Sequence, residues 1–462
     1  MDLLHRTPTF LLRSDRQSRP MVNHTNHCEH HCCPRGRRDF PAARTTPAPA
    51  CRTSVPPPPT RSESMRIPKI AIGAILTSAT LVLAGCGSGS DTGGSSTAQG
   101  AGTIVVAMPL PLTSGNATTA QQILNAGELA VKEINAAGGA GGKQLEIKSY
   151  DDQLTADETA KVTQRAITVD GAQVFIGAYT TIEGLAIRQL TDPRKIVFMS
   201  PSTISPQLTD GSQFVFRTTH VQTDYPALFA AAAKNLGMKK VVVLHDDSPS
   251  GSTLWEATNT ALTEAGVTAG TEVGYALNAT DVSSAIAAVK AQDPDGIVLI
   301  GSSAADAGLD IKTMAEQGLD VPVLGLSSPV APDAVRIGGD AYKQIKIYSI
   351  QNKQPDKPAY AEFAKKYAAE YGGTAEEAAG GLAEPAGATY DAFMLLKKAL
   401  DVTGGDTDGD KLKAALVALP PYAGVAGKEG STISWANGPN GFSNAMSTLE
   451  YDPESGLLIT AP

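Results

Sequence analysis

The amino-acid sequence predicts an α/β fold of two Rossmann-like lobes, each a parallel sheet under helices, joined by a multi-strand hinge. Two observations carry this expectation. From Thr103 onward, short β-branched runs alternate with longer stretches of helical periodicity, the pattern of parallel sheets covered on both faces. The strands implied are also too many for one compact open sheet beside so many helices, which divides them between two lobes.

The chain changes character before that body begins. Residues 1–64 are crowded with Arg, Pro, His and Cys and read as a disordered leader or a mis-assigned start, with translation expected from Met65. Their cluster His27-Cys28-Glu29-His30-His31-Cys32-Cys33 matches no zinc module in spacing, so no metal site is expected there. Residues 65–85 read as a signal peptide: Arg66 and Lys69 flank an apolar run from Ile70 to Leu83 that is short for a membrane span. Leu83-Ala84-Gly85-Cys86 closes it and resembles the lipobox of bacterial lipoproteins, which implies lipidation of Cys86 and a membrane anchor outside the cytoplasm. Residues 86–102, built of Gly, Ser, Thr, Asp and Ala, have the composition of a flexible tether.

Charge and cysteine content narrow the function. Residues 1–85 hold 12 of the 38 Lys and Arg but 5 of the 47 acids, so the remainder sets 26 cations against 42 acids, a net of −16. So acidic a body argues against a nucleic-acid partner. No cysteine lies beyond Cys86, which rules out a disulfide framework in the folded part.

The expected strands are 104–108, 145–150, 174–177, 196–200, 241–245, 297–301, 321–324 and 345–348, and the helices between them include 120–136, 155–169, 180–191, 225–236, 252–265, 282–291 and 304–317. Thr155 with Glu158 and Thr180 with Glu183 fit capping boxes, while Gly237, Gly266 and Gly318 stand where helices end. The pattern then turns helical over 359–371, 384–402 and 411–419, and 433–435 and 447–451 read as closing strands. Lobe I is expected over 103–217 and 352–434, lobe II over 218–348 and 443–462. Extended stretches at 216–219 and 348–351 suggest hinges, with 349–351 and 435–442 as the hinge segments.

Along the same path the motifs that resemble catalytic signatures fall short of them. Gly138-Gly139-Ala140-Gly141-Gly142-Lys143 has Ala137 where a phosphate loop wants Gly and reads as a turn; Asp406-Thr407-Asp408-Gly409-Asp410 lacks the spacing of a calcium loop. His220 and His245 read as structural histidines at strand ends. What recurs is hydroxyl residues after strand C-termini, where open parallel sheets bind ligands: Ser114 with Asn116, Thr180 with Thr181, Ser200 with Ser202 and Thr203, Ser248 with Ser250, Ser302 with Ser303, and Ser327 with Ser328. They point to a neutral binding cleft without catalytic machinery or cofactor.

Several motifs carry a more specific likeness: Asn135-Ala136-Ala137-Gly138-Gly139, Tyr150-Asp151-Asp152, Ile176-Gly177, Ser200-Pro201-Ser202, Phe216-Arg217-Thr218, His245-Asp246 and Tyr390-Asp391-Ala392. Through them the chain resembles the type I periplasmic binding proteins of the leucine/isoleucine/valine group, from about Thr103 to the C-terminus. The resemblance implies a monomeric solute-binding subunit of an ABC importer, which closes two lobes about a zwitterionic amino acid and hands it to permease subunits. It also implies that Thr181 and Thr203, with Thr180 and Ser202, hold the ligand's carboxylate and ammonium. The chain departs from the family pattern at Ile204, Ser250, Ser303 and Ser327, the last standing where an ammonium-pairing acid is common. Either Asp247, Glu183 or another carboxylate takes that part, or the ligand lacks an amino group, as an aromatic acid would. A sensor signalling to a membrane partner is the alternative use of the same clamp; a hydrolase would need a nucleophile and base that the residues do not supply.

Overall fold

The computed structural model describes residues 102–443 and 446–461. The leader, the His27–Cys33 cluster, the signal peptide and Cys86 with most of its tether lie outside the described residues.

Lobe I opens with β1 (Thr103–Leu110), α1 (Ala117–Ala136), β2 (Gln144–Asp151), α2 (Ala156–Thr168), β3 (Val174–Ile176), α3 (Thr181–Thr191), β4 (Val197–Ser200) and β5 (Val215–Arg217). These strands form one parallel sheet in the order β2-β1-β3-β4-β5. Every residue of β3 and β4 is buried, as both faces of a helix-covered sheet require. Thr155 caps α2 by accepting from the Glu158 amide at 3.3 Å.

Lobe II follows with α4 (Tyr225–Asn235), β6 (Lys240–Asp246), α5 (Pro249–Glu264), β7 (Thr268–Ala269), β8 (Val273–Tyr275), α6 (Ser283–Lys290), β9 (Gly296–Ile300), α7 (Ala304–Glu316), β10 (Val323–Gly325), α8 (Pro332–Gly338) and β11 (Ile347–Gln351). The chain then returns to lobe I for α9 (Pro358–Tyr371), α10 (Ala375–Gly381), α11 (Glu384–Thr403), α12 (Gly409–Ala418), β12 (Thr432–Ile433) and β13 (Phe442–Ser443). It ends in lobe II with β14 (Ser447–Asp452) and β15 (Leu457–Thr460). The second sheet runs β15-β14-β11-β10-β9-β6-β7 with β8 beside β6, parallel except at the antiparallel β11-β14-β15 edge. Gly237, Gly266 and Gly318 follow α4, α5 and α7 with φ of 75°, 83° and 63°, the left-handed turn that stops a helix.

The chain therefore crosses between lobes three times, after β5, β11 and β13. The hinge expected at 349–351 is corrected: these residues complete β11, with Ser349 paired to Gly325 and Gln351 to Ser447, so the crossing starts at Asn352. Residues 435–442 likewise stay with lobe I, because the Arg217 amide donates to Pro439 O at 2.9 Å and that of Ser434 to Gly441 O at 2.8 Å. The short elements β7, β8, β13, β15, α8 and α10 are too brief to show a sequence period, and β5 overlaps the extended stretch expected at 216–219.

Close packing fixes α11 against lobe I. A Cβ on Gly127 of α1 would stand 2.9 Å from the Phe393 ring of α11, so the two helices meet at a glycine. The late helix is thereby anchored, and its first residue, Glu384, projects toward the other lobe. No helix among the described residues is long and apolar enough to cross a membrane.

Candidate ligand-binding site

In each sheet the strand order reverses beside the first strand of its lobe, between β1 and β3 and between β6 and β9. Such switch points leave a crevice at the strand C-termini. The two crevices face one another and enclose a cavity of about 50 Å³, several times what a single water needs. Lobe I lines it with Tyr179, Thr180 and Thr181 after β3, Pro201, Ser202 and Ile204 after β4, Thr219, and Glu384 with Pro385 at the start of α11. Lobe II contributes Tyr225, Ser250, Gly301, Ser302, Leu326, Ser327 and Ser328.

The lobes touch around this cavity. Thr181 Oγ1 lies 2.5 Å from Ser250 Oγ. Asn116 Oδ1 of lobe I accepts from Ser303 Oγ at 3.2 Å and from the Ala305 amide at 3.0 Å in lobe II. Asp333 Oδ2 of lobe II accepts from the Thr119 amide at 2.7 Å. The cleft is closed, and the groups closing it are neutral hydroxyls, amides and one buried carboxylate.

Of the nine residues expected to contact a ligand, the structure brings Thr180, Thr181, Ser202, Ser250 and Ser327 to the cavity wall. Four are placed elsewhere. Thr203 is buried beneath the wall: its hydroxyl donates to Thr180 O at 3.2 Å and its carbonyl accepts from Arg217 Nη1 at 2.6 Å. Ser114 turns into its own loop, donating to Pro111 O at 3.1 Å and accepting from the Asn116 amide. Ser303 caps α7 and holds Asn116. Asp247 sits at the cleft mouth with Leu154 and Asn278 and accepts from the Leu277 amide at 2.8 Å.

Glu183, the other acid considered for a ligand ammonium, is spent inside lobe I. Its Oε2 accepts from the amides of Tyr179 and Thr180 at the start of α3. Beside it lies Asp152, equally buried. Desolvation pushes both carboxyls up, Asp152 to about 6 with the Asp151 charge adding and the hydrogen bond to Glu183 opposing, and Glu183 further under the added charge of Asp152.

The carboxyl that does reach the cavity is Glu384, which the sequence marks only as the start of the helix expected over 384–402. Its Oε1 accepts from the Asn352 amide at 2.7 Å, and burial raises it to about 7 against the smaller lowering influence of Asn352, Ser327 and Lys353. A Glu-Pro pair opening a helix was its only sequence signal, and nothing local tells which lobe that helix start faces.

The remaining sequence candidates are structural. His245 Nε2 meets Glu272 at 3.2 Å and its ring stacks on Trp255. The Asp406–Asp410 loop caps α12 through Asp408, which accepts from the Lys411 amide at 3.1 Å, and the glycine run closes a turn in which Ala140 bridges Lys143.

This geometry agrees with what comparison with known proteins finds. A family model described as periplasmic binding protein matches residues 103–451. The chain belongs to this periplasmic binding protein family. It is 29% identical over 267 residues to the Leu/Ile/Val-binding protein homolog 1 of Brucella abortus, covering 57% of this chain and 71% of that one. A Pseudomonas aeruginosa amino acid binding protein is 26% identical over 242 residues, 52% of this chain and 64% of the other. Among solved structures, the leucine-binding protein LivK of Thermotoga maritima superposes with a TM-score of 0.67 at 22% identity, covering 78% of this chain and 98% of that one. A solute-binding protein of an ABC transporter from Rhodopseudomonas palustris, in complex with 3,4-dihydroxybenzoic acid, gives 0.67 at 24%, with 78% and 95% coverage. Periplasmic binding proteins capture solutes rather than transform them, which accords with the wall of the cavity: hydroxyls, two tyrosines and one acid.

Proposed function

We propose that this chain is the extracytoplasmic solute-binding subunit of an ABC importer, capturing a small amino acid or a related carboxylate or amide and passing it to permease subunits. The observation that carries the reading is the small cavity sealed by Thr181 against Ser250, with hydroxyls from both lobes on its wall. A ligand touching both walls binds the closed form best and so drives closure. The curated relatives named for Leu, Ile and Val or for amino acids support the ligand class. Thr180, Thr181 and Ser202 hold the ligand from lobe I; Ser250 and Ser327 hold it from lobe II.

A second reading, an aromatic acid as ligand, is favoured by the rings of Tyr179 and Tyr225 on the wall and by the benzoate and dihydroxybenzoate complexes of structural neighbours. A thermal-shift screen of amino acids, amides, aromatic acids and polyols tests the proposal, because a ligand bound only by the native state at 100 times its Kd adds about 2.7 kcal/mol of stability. A small amino acid is expected to give the largest shift and to be recovered unchanged. A screen in which no solute moves the transition overturns the reading.

Anchoring belongs to the same proposal: a monomer tethered through lipidated Cys86 is held near its permease. Metabolic labelling with an alkynyl fatty acid is expected to mark the wild type and not Cys86→Ala; label on both would remove the anchor.

A further inference from the structure

Glu384 belongs to lobe I yet lines the same cavity as Ser327 and Ser328 of lobe II, and it is 6% exposed. The groups around it answer its charge only in part: Ser327 and, at a distance, Lys353 lower it by less than burial raises it. Among the described residues its one ion-pair contact is His220 Nδ1 at 3.7 Å, and burial, with Arg217 nearby, pushes that imidazole down to about 3, so the ring is neutral. Lys353, from the second crossing, is turned away: its ammonium donates to Gly380 O at 2.9 Å and Leu382 O at 2.7 Å, and burial lowers it to about 7. Tyr225 and Tyr360, the remaining ionisable neighbours, are phenols that burial keeps protonated.

A buried carboxylate without a cation is costly, and a cation arriving with the ligand removes that cost. An anionic ligand group at the same place would bury a second like charge. Neutral hydroxyls at Thr180, Thr181 and Ser202 line the same cavity and can donate to the ligand's own carboxylate.

We propose that Glu384 is the specificity residue of this cleft, selecting a small solute that carries an ammonium group and rejecting nitrogen-free acids. The proposal rests on the solute-binding reading above and fixes its ligand class. The acid comes from the lobe opposite Ser327, so recognition of the ammonium is part of lobe I.

Titration calorimetry on the full chain tests it, with glycine, alanine, serine and leucine set against acetate, propionate, lactate and benzoate. The wild type is expected to bind an amino acid and to ignore its deaminated counterpart. Glu384→Gln, which keeps an acceptor for the Asn352 amide, is expected to weaken that binding about 10- to 100-fold, the range of a charge-assisted hydrogen bond. Glu384→Asp should fall between. In the wild type, affinity should also drop about tenfold per pH unit below 7 as the carboxylate takes its proton, and this slope needs no variant to fold. A nitrogen-free acid binding the wild type as tightly as any amine, or affinity that rises on acidification, overturns the Glu384 assignment and leaves solute capture standing. Failure of the wild type to bind any solute overturns both.

Discussion

Arg217, fully buried in β5, holds three groups at once: Thr203 O and Ser205 O at 2.6 Å each, and Asn440 Oδ1 at 3.0 Å. It ties the loop behind the cavity wall to the segment leading into the third crossing, without an acidic partner among the described ion pairs. Burial lowers it only to about 10, so it remains a cation at neutral pH.

Arg217→Met should therefore cost about 3–5 kcal/mol, because two buried carbonyls, Thr203 O and Ser205 O, lose their donor together with the half-buried Asn440 contact. Urea unfolding followed by circular dichroism reads the loss. An unchanged midpoint would show that water replaces the guanidinium.

Asn116 contacts no cavity residue of lobe I but fastens α7 of lobe II. Asn116→Ala should raise the solution radius of gyration of the ligand-free protein and weaken ligand binding several-fold through the closed population alone. X-ray scattering and calorimetry check the two effects; a weaker ligand with an unaltered scattering profile would contradict a latch.

The hydroxyls of Thr181 and Ser250 form a pair across the cleft. Each alanine variant is expected to weaken ligand binding by about 0.5–1.5 kcal/mol, and the double variant by less than the sum, since both singles remove the same contact. A double-mutant cycle that is strictly additive would deny the pair any part in closure.

Stability should fall as pH rises toward neutrality. Burial lifts Asp152, Asp306 and Asp391 to about 6 and Glu384 to about 7, so the folded chain binds protons that the unfolded chain has already released. The stabilisation is present below about pH 4 and is lost up to about pH 7, the folded value of Glu384. Lys353, lowered to about 7, acts in the next window: the cost of its buried charge fades as pH rises from about 7 toward its ordinary 10.5. The melting temperature of the ligand-free protein is expected to be higher at pH 5.5 than at 7.5, with a shallower slope in Glu384→Gln. A melting temperature that rises over that interval would contradict these burial effects.

Much of this architecture was legible along the chain. Fully apolar runs such as Val241–Leu244 announce strands buried on both faces, and the Thr155–Glu158 spacing announces the start of α2. The short β5 and β8 were not legible as strands, because three residues show no period and their pairing with β4 and β6 is decided by tertiary contact. At the site, Thr180, Thr181, Ser202, Ser250 and Ser327 could be read from their places after strands. Thr203 and Ser303 carry the same signal yet serve the scaffold, since a hydroxyl after a strand is suited equally to a ligand or to a neighbouring carbonyl. Glu384 lies 159 residues from Tyr225, its lobe II neighbour on the cavity wall, and only the return of the chain through α11 brings them together.

Three separate spans of backbone join the halves of this molecule, after β5, β11 and β13. A single strap would permit swivelling and sliding; three separate ties permit little but a bend. A transporter waiting at the membrane would thus meet two silhouettes rather than a continuum, and could tell a laden courier from an empty one by outline alone.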